Sequence, residues 1–467
     1  SVGAGAQFLQ DAPAGETYSV NLKAGAPAGT TIEARGQAFF ESVVDLNAGA
    51  GVGTLAPVFM NHNGILDFEH AIFRGGDASN PNHVWVGDGD HFRLIDSRIE
   101  DSAGFIQHRF IAAGGVVTIL NSTWTGTVGP EALILYRWAD PATPGTTLYQ
   151  HSVFDKPVWI EGPDAEIDGC FLAAGLITSR GQTVFQRTVR NSLVRRVAPG
   201  AMNINGDYLD NIHLEDYSTG NPHGVQIDAV AENSTIGGNV FKYTGTSGDG
   251  DMIIPRSGSG TVNTLTVTSN LVLPNGDRAA PSGTLISLLG SNNWTVSVQR
   301  NTYVVIGTKG GVAIAETYPG HAGLVTSATS NLAYGIGAAS GSIIHDVSTP
   351  VPDYVSEADY NGYFNLGPSR YDALSSAFAN PPGSFDVGAD PQFVDDFRDL
   401  DSYDAAWGGP GTVAHLLSEV ARMNDPDFNP AYEPWAIRDW IREGWRPQNP
   451  AFQGTGQAGV DIGAVPF

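Results

Sequence analysis

The chain has 467 residues, 58 of them glycine, with 24 basic against 49 acidic side chains and a net charge of −25. That balance argues against a broad basic face for nucleic acid, no run approaches the ~18 apolar residues of a membrane span, and the single Cys170 leaves no disulfide to form within the chain. The length suggests more than one domain unless the chain is a repeat, whose units contact only their neighbours.

Residues 1–36 read as an opening cap, with short strands in AGETYSVNL and GTTIEARG. The opening SVGAGAQF carries no signal-peptide pattern and fits a mature secreted form or one that lost only its initiator Met. Residues 37–380 carry a recurring register, apolar-x-apolar, then Asn or Asp, then more apolar residues. Its pivots are Asp96, Asn121, Asp168, Asn191, Asn211, Asn239, Asn270, Asn301, Asn331 and Asn361, with His151 filling one gap. The last five are spaced 31, 31, 30 and 30 residues apart. A fixed period in this range marks a solenoid, and copies this short, rich in Val, Ile, Thr and aromatics, fit one β-rung each.

A second register runs between the first. FIQHR, LILYR, LITSR and MIIPR end in Arg109, Arg137, Arg180 and Arg256, while VQIDA (225–229) and VAIAE (312–316) occupy the same register without arginine. Stacked rungs lie roughly 4.8 Å apart, so side chains of equal phase form a ladder. Loops of unequal length, at 77–82, 139–147, 216–224 and 245–251, interrupt the rungs. Such insertions often build a binding site. Residues 381–467 change character and read as a capping segment with two short helices, 411–424 and 434–443, covering the last rungs with Leu416, Leu417, Val420, Ile437 and Trp440. An open rung would expose strand edges that need such cover.

The rung pattern, the DVGADPQFVD segment and the terminal DIGAVPF resemble right-handed parallel β-helix proteins of the pectate-lyase-like superfamily. That superfamily includes polysaccharide lyases, glycoside hydrolases and phage tailspikes. The resemblance implies an all-β chain, a right-handed parallel β-helix solenoid with a small helical C-terminal cap. It carries no catalytic set across. The Asn-Thr-Asp, Asp-Asp, Gly-His-Gly and Arg-Ile-Lys motifs of polygalacturonases are absent, as is the closely spaced Lys and Arg signature of alginate-type lyases.

The chemistry is therefore weighed from the residues. Guanidinium groups bind carboxylates and sulfates bidentately, so outward Arg109, Arg137, Arg180 and Arg256 would form a basic stripe on an acidic body. Paired with Asp and Glu on a solvated face, they would instead be structural. Tyr136 and Trp138 flank Arg137 and could donate a proton and stack on a sugar ring. His108 adjoins Arg109, but adjacent strand residues face opposite ways. NINGDYLDNIHLED places Asp207, Asp210, Glu215 and Asp216 close in sequence, His223 and Asp228 follow one rung later, and Glu161 could join them; Asp207 and Asp228 sit near the arginine phase. Two carboxylates ~5–10 Å apart could hydrolyse a glycosidic bond, although Asp at strand ends more often caps turns. DGD at 88–90 and GTSGDGDM hint weakly at calcium without a spaced ligand loop, so no cofactor is expected. The Asn and Asp pivots read as structural, through amide ladders or turn satisfaction.

These features lead to an extracellular, cell-surface or virion protein that binds an anionic polysaccharide or surface glycan and could cleave it. The expected assembly is a homotrimer or attachment to a larger particle, without nucleic acid or a membrane span. The alternative is a non-catalytic fibre, decoration or adhesion protein.

Overall fold

The computed structural model describes strands and corners between residues 7 and 372, and residues 383–466 without interruption. The chain forms two compact units, residues 1–188 with 419–429 and residues 189–418 with 430–467. Each is a parallel β-solenoid.

In the first unit, the first sheet stacks Thr30–Arg35, Gly64–Glu69, His91–Ile95, Val116–Leu120, Thr146–Gln150 and Asp164–Asp168. The second sheet runs from Gln7–Leu9 through Ser42–Asp45, Ala71–Arg74, Arg98–Glu100, Thr123–Trp124 and Val153–Phe154 to Phe171–Leu172. A four-stranded sheet (Val20–Asn21, Phe59–Met60, Asn82–Val86, Phe105–His108) and a three-stranded one (Leu133–Leu135, Val158–Ile160, Leu176–Thr178) complete the rungs. The strands within residues 1–36 pair with the following rung just as later strands do.

The second unit repeats this plan. Its first sheet stacks Asp207–Leu209, Asn233–Gly237, Asn263–Thr268, Trp294–Gln299, Leu324–Thr329 and Ala358–Asp359. Its second sheet runs from Leu193–Arg196 through Ile212–Glu215, Val240–Tyr243, Leu271–Leu273, Thr302–Ile306, Leu332–Ile336 and Gly362–Phe364 to Val387–Gly388. A seven-stranded third sheet runs from Met202–Asn203 to Tyr371–Asp372.

Between the first and second strand the chain turns through one residue of positive φ. These corners are His70, Asp96, Asn121, His151 and Gly169 in the first unit, and Asn191, Asp210, Gly238, Ser269, Arg300, Ser330 and Tyr360 in the second. Asn, Asp, His and Gly enter this region at the lowest cost, which explains the pivots Asp96, Asn121, His151 and Asn191 but not the corners Ser269, Arg300, Ser330 and Tyr360. At Gly238 a Cβ would also lie 2.1 Å from Asp210 Oδ1.

The pivots thus belong to three phases rather than one. Asp96, Asn121, His151 and Asn191 are corners, and Asp168 stands just before the corner Gly169. Asn211, Asn239, Asn270, Asn301, Asn331 and Asn361 stand just after a corner and are fully buried. They form a continuous amide ladder. Asn239 N and Nδ2 both donate to Asn270 Oδ1, at 3.1 and 2.8 Å, and Nδ2 also donates to Tyr208 O at 2.9 Å. The same pattern repeats at each step to Asn361, whose N–H donates to Asp386 Oδ1 at 2.8 Å. In the first unit Ser97, Ser122 and Ser152 take this place, and each Oγ accepts a backbone N–H from the preceding rung.

The tail holds three short helices, not the two expected. They are α1 (Leu400–Ala406), α2 (Val413–Val420) and α3 (Pro434–Gly444). The extra helix, α1, is set by a capping box in which Asp399 and Ser402 satisfy each other's backbone. Ser at the reciprocal place, instead of the usual Glu or Gln, hides it in the sequence. Leu416, Val420 and Ile437 are fully buried, and Trp440 meets Tyr403 edge-on at 5.3 Å.

In the second unit the tail lies along the outward face of the second sheet. Phe452 and Ile462 pack on Leu332, and a Cβ at Gly362 would lie 2.6 Å from Phe452. Ala464 N donates to Thr302 Oγ1 at 2.8 Å. Tyr334 packs edge-on against Phe393 and Trp445 and donates to Asp396 at 2.9 Å. Lys242 pairs with Asp399 at 3.0 Å. From α3, Arg442 donates to the corner carbonyls of Gly238 and Ser269, while Arg438 donates to Asp210 O. Four residues of helix rise about 6 Å, close to the ~4.8 Å rung step, so i and i+4 arginines meet successive corners. This sheet is consequently buried on both faces, as at Ile212–Glu215 and Val240–Tyr243. The first sheet keeps a solvent side and alternates, as in Asn263–Thr268 and Trp294–Gln299. In the first unit, Asn424 Nδ2 of the tail donates to Thr123 Oγ1 at 3.2 Å.

Candidate functional site

The arginine phase belongs to the third strand of the rungs. Leu133, Val158 and Leu176 are level across three strands, as are Leu135, Ile160 and Thr178. Arg137 and Arg180 therefore follow paired strands at the same offset, and Glu161 directly follows the strand between them. In the second unit Val225 is level with Ile253, and Ile227 with Pro255. These pairs end immediately before Asp228 and Arg256. The assumed alignment thus needs two corrections. Ala229 is not the counterpart of Arg256, because VQIDA is offset by one residue. Glu316 is level with Ser287, whose strand places it with Ile254 rather than Arg256. Short apolar strands without a distinctive residue leave register free to slip in a sequence alignment.

Of the candidate residues, Asp207, Asp210, Glu215 and Asp216 are described: Asp210 is a corner, Asp216 pairs with Arg195 and Glu215 is buried. Glu161, Asp228, His223, Arg109, Arg137, Arg180, Arg256, Tyr136 and Trp138 lie outside the described residues, as do the four interrupting loops apart from Asn82, Gly145, Thr146, Thr147 and Asp216. Asp207 opens a first-sheet strand, half-buried, and its Oδ1 accepts the backbone N–H of Thr235 on the next rung at 2.8 Å. That bond gives it a structural task.

The densest polar chemistry among the described side chains gathers around Glu215, one of the acidic candidates, with Arg196, His213 and Tyr208, which the sequence did not bring together. It sits inside the second unit. Tyr208, His213 and Glu215 are fully buried and Arg196 is 5% exposed. Arg196 Nη1 donates to both Glu215 oxygens at 3.2 Å. His213 Nε2 lies 3.4 Å from Glu215 Oε2, and Nδ1 lies 3.3 Å from Tyr208 OH. Burial holds the Tyr208 phenol well above its ordinary pKa, so it keeps its proton. The chain is satisfied with Tyr208 donating to Nδ1 and the Nε2–H donating to Glu215. Strands Leu193–Arg196 and Ile212–Glu215 set Val194 level with His213 and Arg196 level with Glu215. Rings of Tyr208 and Phe241 close over the imidazole, at 6.2 and 5.5 Å. A buried ion pair so surrounded fixes the packing of two rungs.

A second polar centre organises the tail. Asp404, fully buried, accepts from Gly411 N, Thr412 N, His415 Nδ1 and Tyr432 OH at 2.9, 3.1, 2.7 and 3.2 Å. Burial pushes its carboxyl up, but the bonds from His415, Thr412 and Gly411 outweigh this and hold it below the usual range. Among the described residues no group of three or more His, Cys, Asp or Glu side chains is placed to hold a metal ion, and no helix is long and apolar enough to cross a membrane. Comparison of the chain with protein-family models, with curated proteins and with solved structures gives no match.

Proposed function

We propose that the chain is an extracellular or surface-exposed β-solenoid that binds an anionic polysaccharide along the third-strand sheets. The observation that supports this reading is the common register of the strands that precede Arg137 and Arg180. Arg137 and Arg180 stand two residues beyond level strand ends in the sequence, and guanidinium groups repeated at rung multiples would suit a polymer with regularly placed carboxylates or sulfates. The test is binding to a panel of uronate and sulfated polysaccharides at increasing salt. Affinity should fall with ionic strength. Changing Arg137 and Arg180 together to Ala should weaken it by roughly tenfold or more, since a charge-assisted bond is worth about 1.5–3 kcal/mol. No binding by the parent chain across the panel would overturn the proposal.

One observation favours a second reading, a non-catalytic structural or adhesion protein of a particle or cell surface. The described members of the acidic set have structural partners: Asp207 Oδ1 accepts a backbone N–H, and Asp210, Glu215 and Asp216 meet Arg438, Arg196 and Arg195. Incubation with the same panel separates the readings. Release of unsaturated uronate or new reducing ends, abolished in Asp228→Asn, would establish cleavage.

A further inference from the structure

The first sheet of the second unit presents a face that neither the arginine phase nor the tail accounts for. Thr264, Thr266 and Thr268 are level with Thr295, Ser297 and Gln299, with no shift of register along the strands. The preceding rung continues the columns, with Thr235 level with Thr266. Between these positions Leu265, Val267, Trp294, Val296 and Val298 are buried to within 1%, so the named side chains face outward on a rigid floor. In a chain with 24 basic and 49 acidic residues, these positions carry no charge themselves; charge stands at the rim, where Arg300 Nη2 donates to Thr268 Oγ1 at 3.3 Å and Asp207 accepts the Thr235 N–H one rung earlier. Among the described residues, the hydroxyls of Thr235, Thr266 and Thr295 have no side-chain partner, whereas Thr264 bonds Asn233, Thr268 accepts from Arg300, and Ser297 and Gln299 bond Ser327.

The chemistry of this array narrows its occupant. Between Arg300 at one rim and Asp207 at the other, a polyanion or polycation finds no row of counter-charges along the array. Protein interfaces enrich aromatic residues, Met and Arg at their cores, and sugar polymers stack on aromatic rings. The array offers none of these. It offers hydroxyls and methyls on side chains stiff at χ1, repeated at roughly 4.8 Å between rungs and about 6.7 Å along the strand. Hydrogen-bonded oxygens in water lie about 2.8 Å apart. Two waters bonded tetrahedrally to a third are therefore about 4.6 Å apart by the same geometry. Waters held by neighbouring rungs thus fall close to the second-neighbour spacing of a tetrahedral lattice. We propose that this face binds ice.

The test uses the full chain. Ice is grown slowly from dilute solution, and the protein frozen into it is compared with that left in the liquid. The parent should enter the ice and slow its recrystallisation. Thr266→Lys with Thr295→Lys places two charges in the middle of the array and should cut the frozen fraction by about tenfold, equivalent to ~1.4 kcal/mol. Gln453→Lys, at an exposed place on the tail, should leave it unchanged. Equal circular dichroism and melting of the three proteins keeps the comparison to the surface. Exclusion of the parent from ice, or equal partition of parent and double variant, would overturn the proposal. So would retention of the parent on insoluble cellulose or chitin without entry into ice, which would assign the face to a neutral polymer.

Discussion

Replacing Asn270 by Ala interrupts the amide ladder at its middle. Asn270 Oδ1 accepts from both Asn239 N and Asn239 Nδ2, and its own Nδ2 donates to Ile236 O and Asn301 Oδ1, each at 2.9 Å. All of these groups lie at a fully buried position. Asn239 Nδ2 keeps its bond to Tyr208 O, and Asn270 N keeps Asn301 Oδ1. The uncompensated groups are then one backbone N–H and one carbonyl, at about 1–3 kcal/mol each, with a further loss for the severed amide–amide bonds. We expect about 3–5 kcal/mol in all. At about 2–4 °C per kcal/mol for a unit of this size, melting should fall by roughly 6–20 °C. Thermal unfolding followed by circular dichroism measures this directly. Asn270→Ser should recover part of the loss, because Ser122 and Ser152 accept the same kind of N–H in the first unit. A melting shift under about 2 °C for Asn270→Ala would refute the view that the ladder carries stability.

Removing the Glu215 carboxylate by Glu215→Ala takes both of its oxygens from the buried Arg196 guanidinium and should cost about 3–5 kcal/mol in urea unfolding; Glu215→Gln, which keeps an acceptor, should cost less. Arg442→Lys loses the planar fork that reaches two corner carbonyls and Ala464 O at once, so hydrogen exchange should quicken in residues 450–465. Asp404 has a lowered folded-state pKa, and so does Asp399, where Lys242 and Ser402 outweigh burial. Their contribution is full above the ordinary carboxylate pKa and is lost as pH falls through the lower folded values. Asp401 is raised by burial and by Asp399 and works in the opposite sense. Tryptophan fluorescence from the tail should therefore change below about pH 4, before the far-ultraviolet signal of the sheets. Cys170, pushed up to about 12 chiefly by burial, should resist alkylation until the chain unfolds.

The fold was legible because each rung sets a polar residue at or beside its corner. In the first unit the positive-φ corner itself takes His, Asp, Asn or Gly, whereas in the second unit corners at Ser269, Arg300, Ser330 and Tyr360 leave the regular repeat to the buried asparagines that follow them. The corner and the ladder position after it were not separable, since Asn suits both. Asn191 sits in the turn, whereas Asn211 is in the ladder. The interior polar chain was hidden for a different reason. Ile212-His213-Leu214-Glu215 reads as apolar-in, polar-out, yet His213 and Glu215 point inward while all four residues are buried. Alternation identifies a face only when the opposite face meets water, and here the tail covers it. Nothing local to residues 212–215 announces a tail two hundred positions away. The arginine register was found from its repeated Arg, and its errors came at the copies that lack one.

The docking of α3 has a consequence for how this chain can vary. A bare solenoid tolerates the gain or loss of a rung, because each rung meets only its neighbours. Here the tail acts as a ruler. Its two ends are tied to the scaffold at set heights, Arg438 and Arg442 at the corners of Asp210, Gly238 and Ser269 and Phe452 and Ile462 at Leu332. Excising one period, such as residues 270–300, would leave the asparagine column joined in phase and every remaining rung intact. It would also bring Leu332 one step closer to Ser269 than the length of tail between α3 and Phe452 was built to span. The number of rungs between these anchors is thus held by a segment outside the repeats, and neither can change length unless the other changes with it.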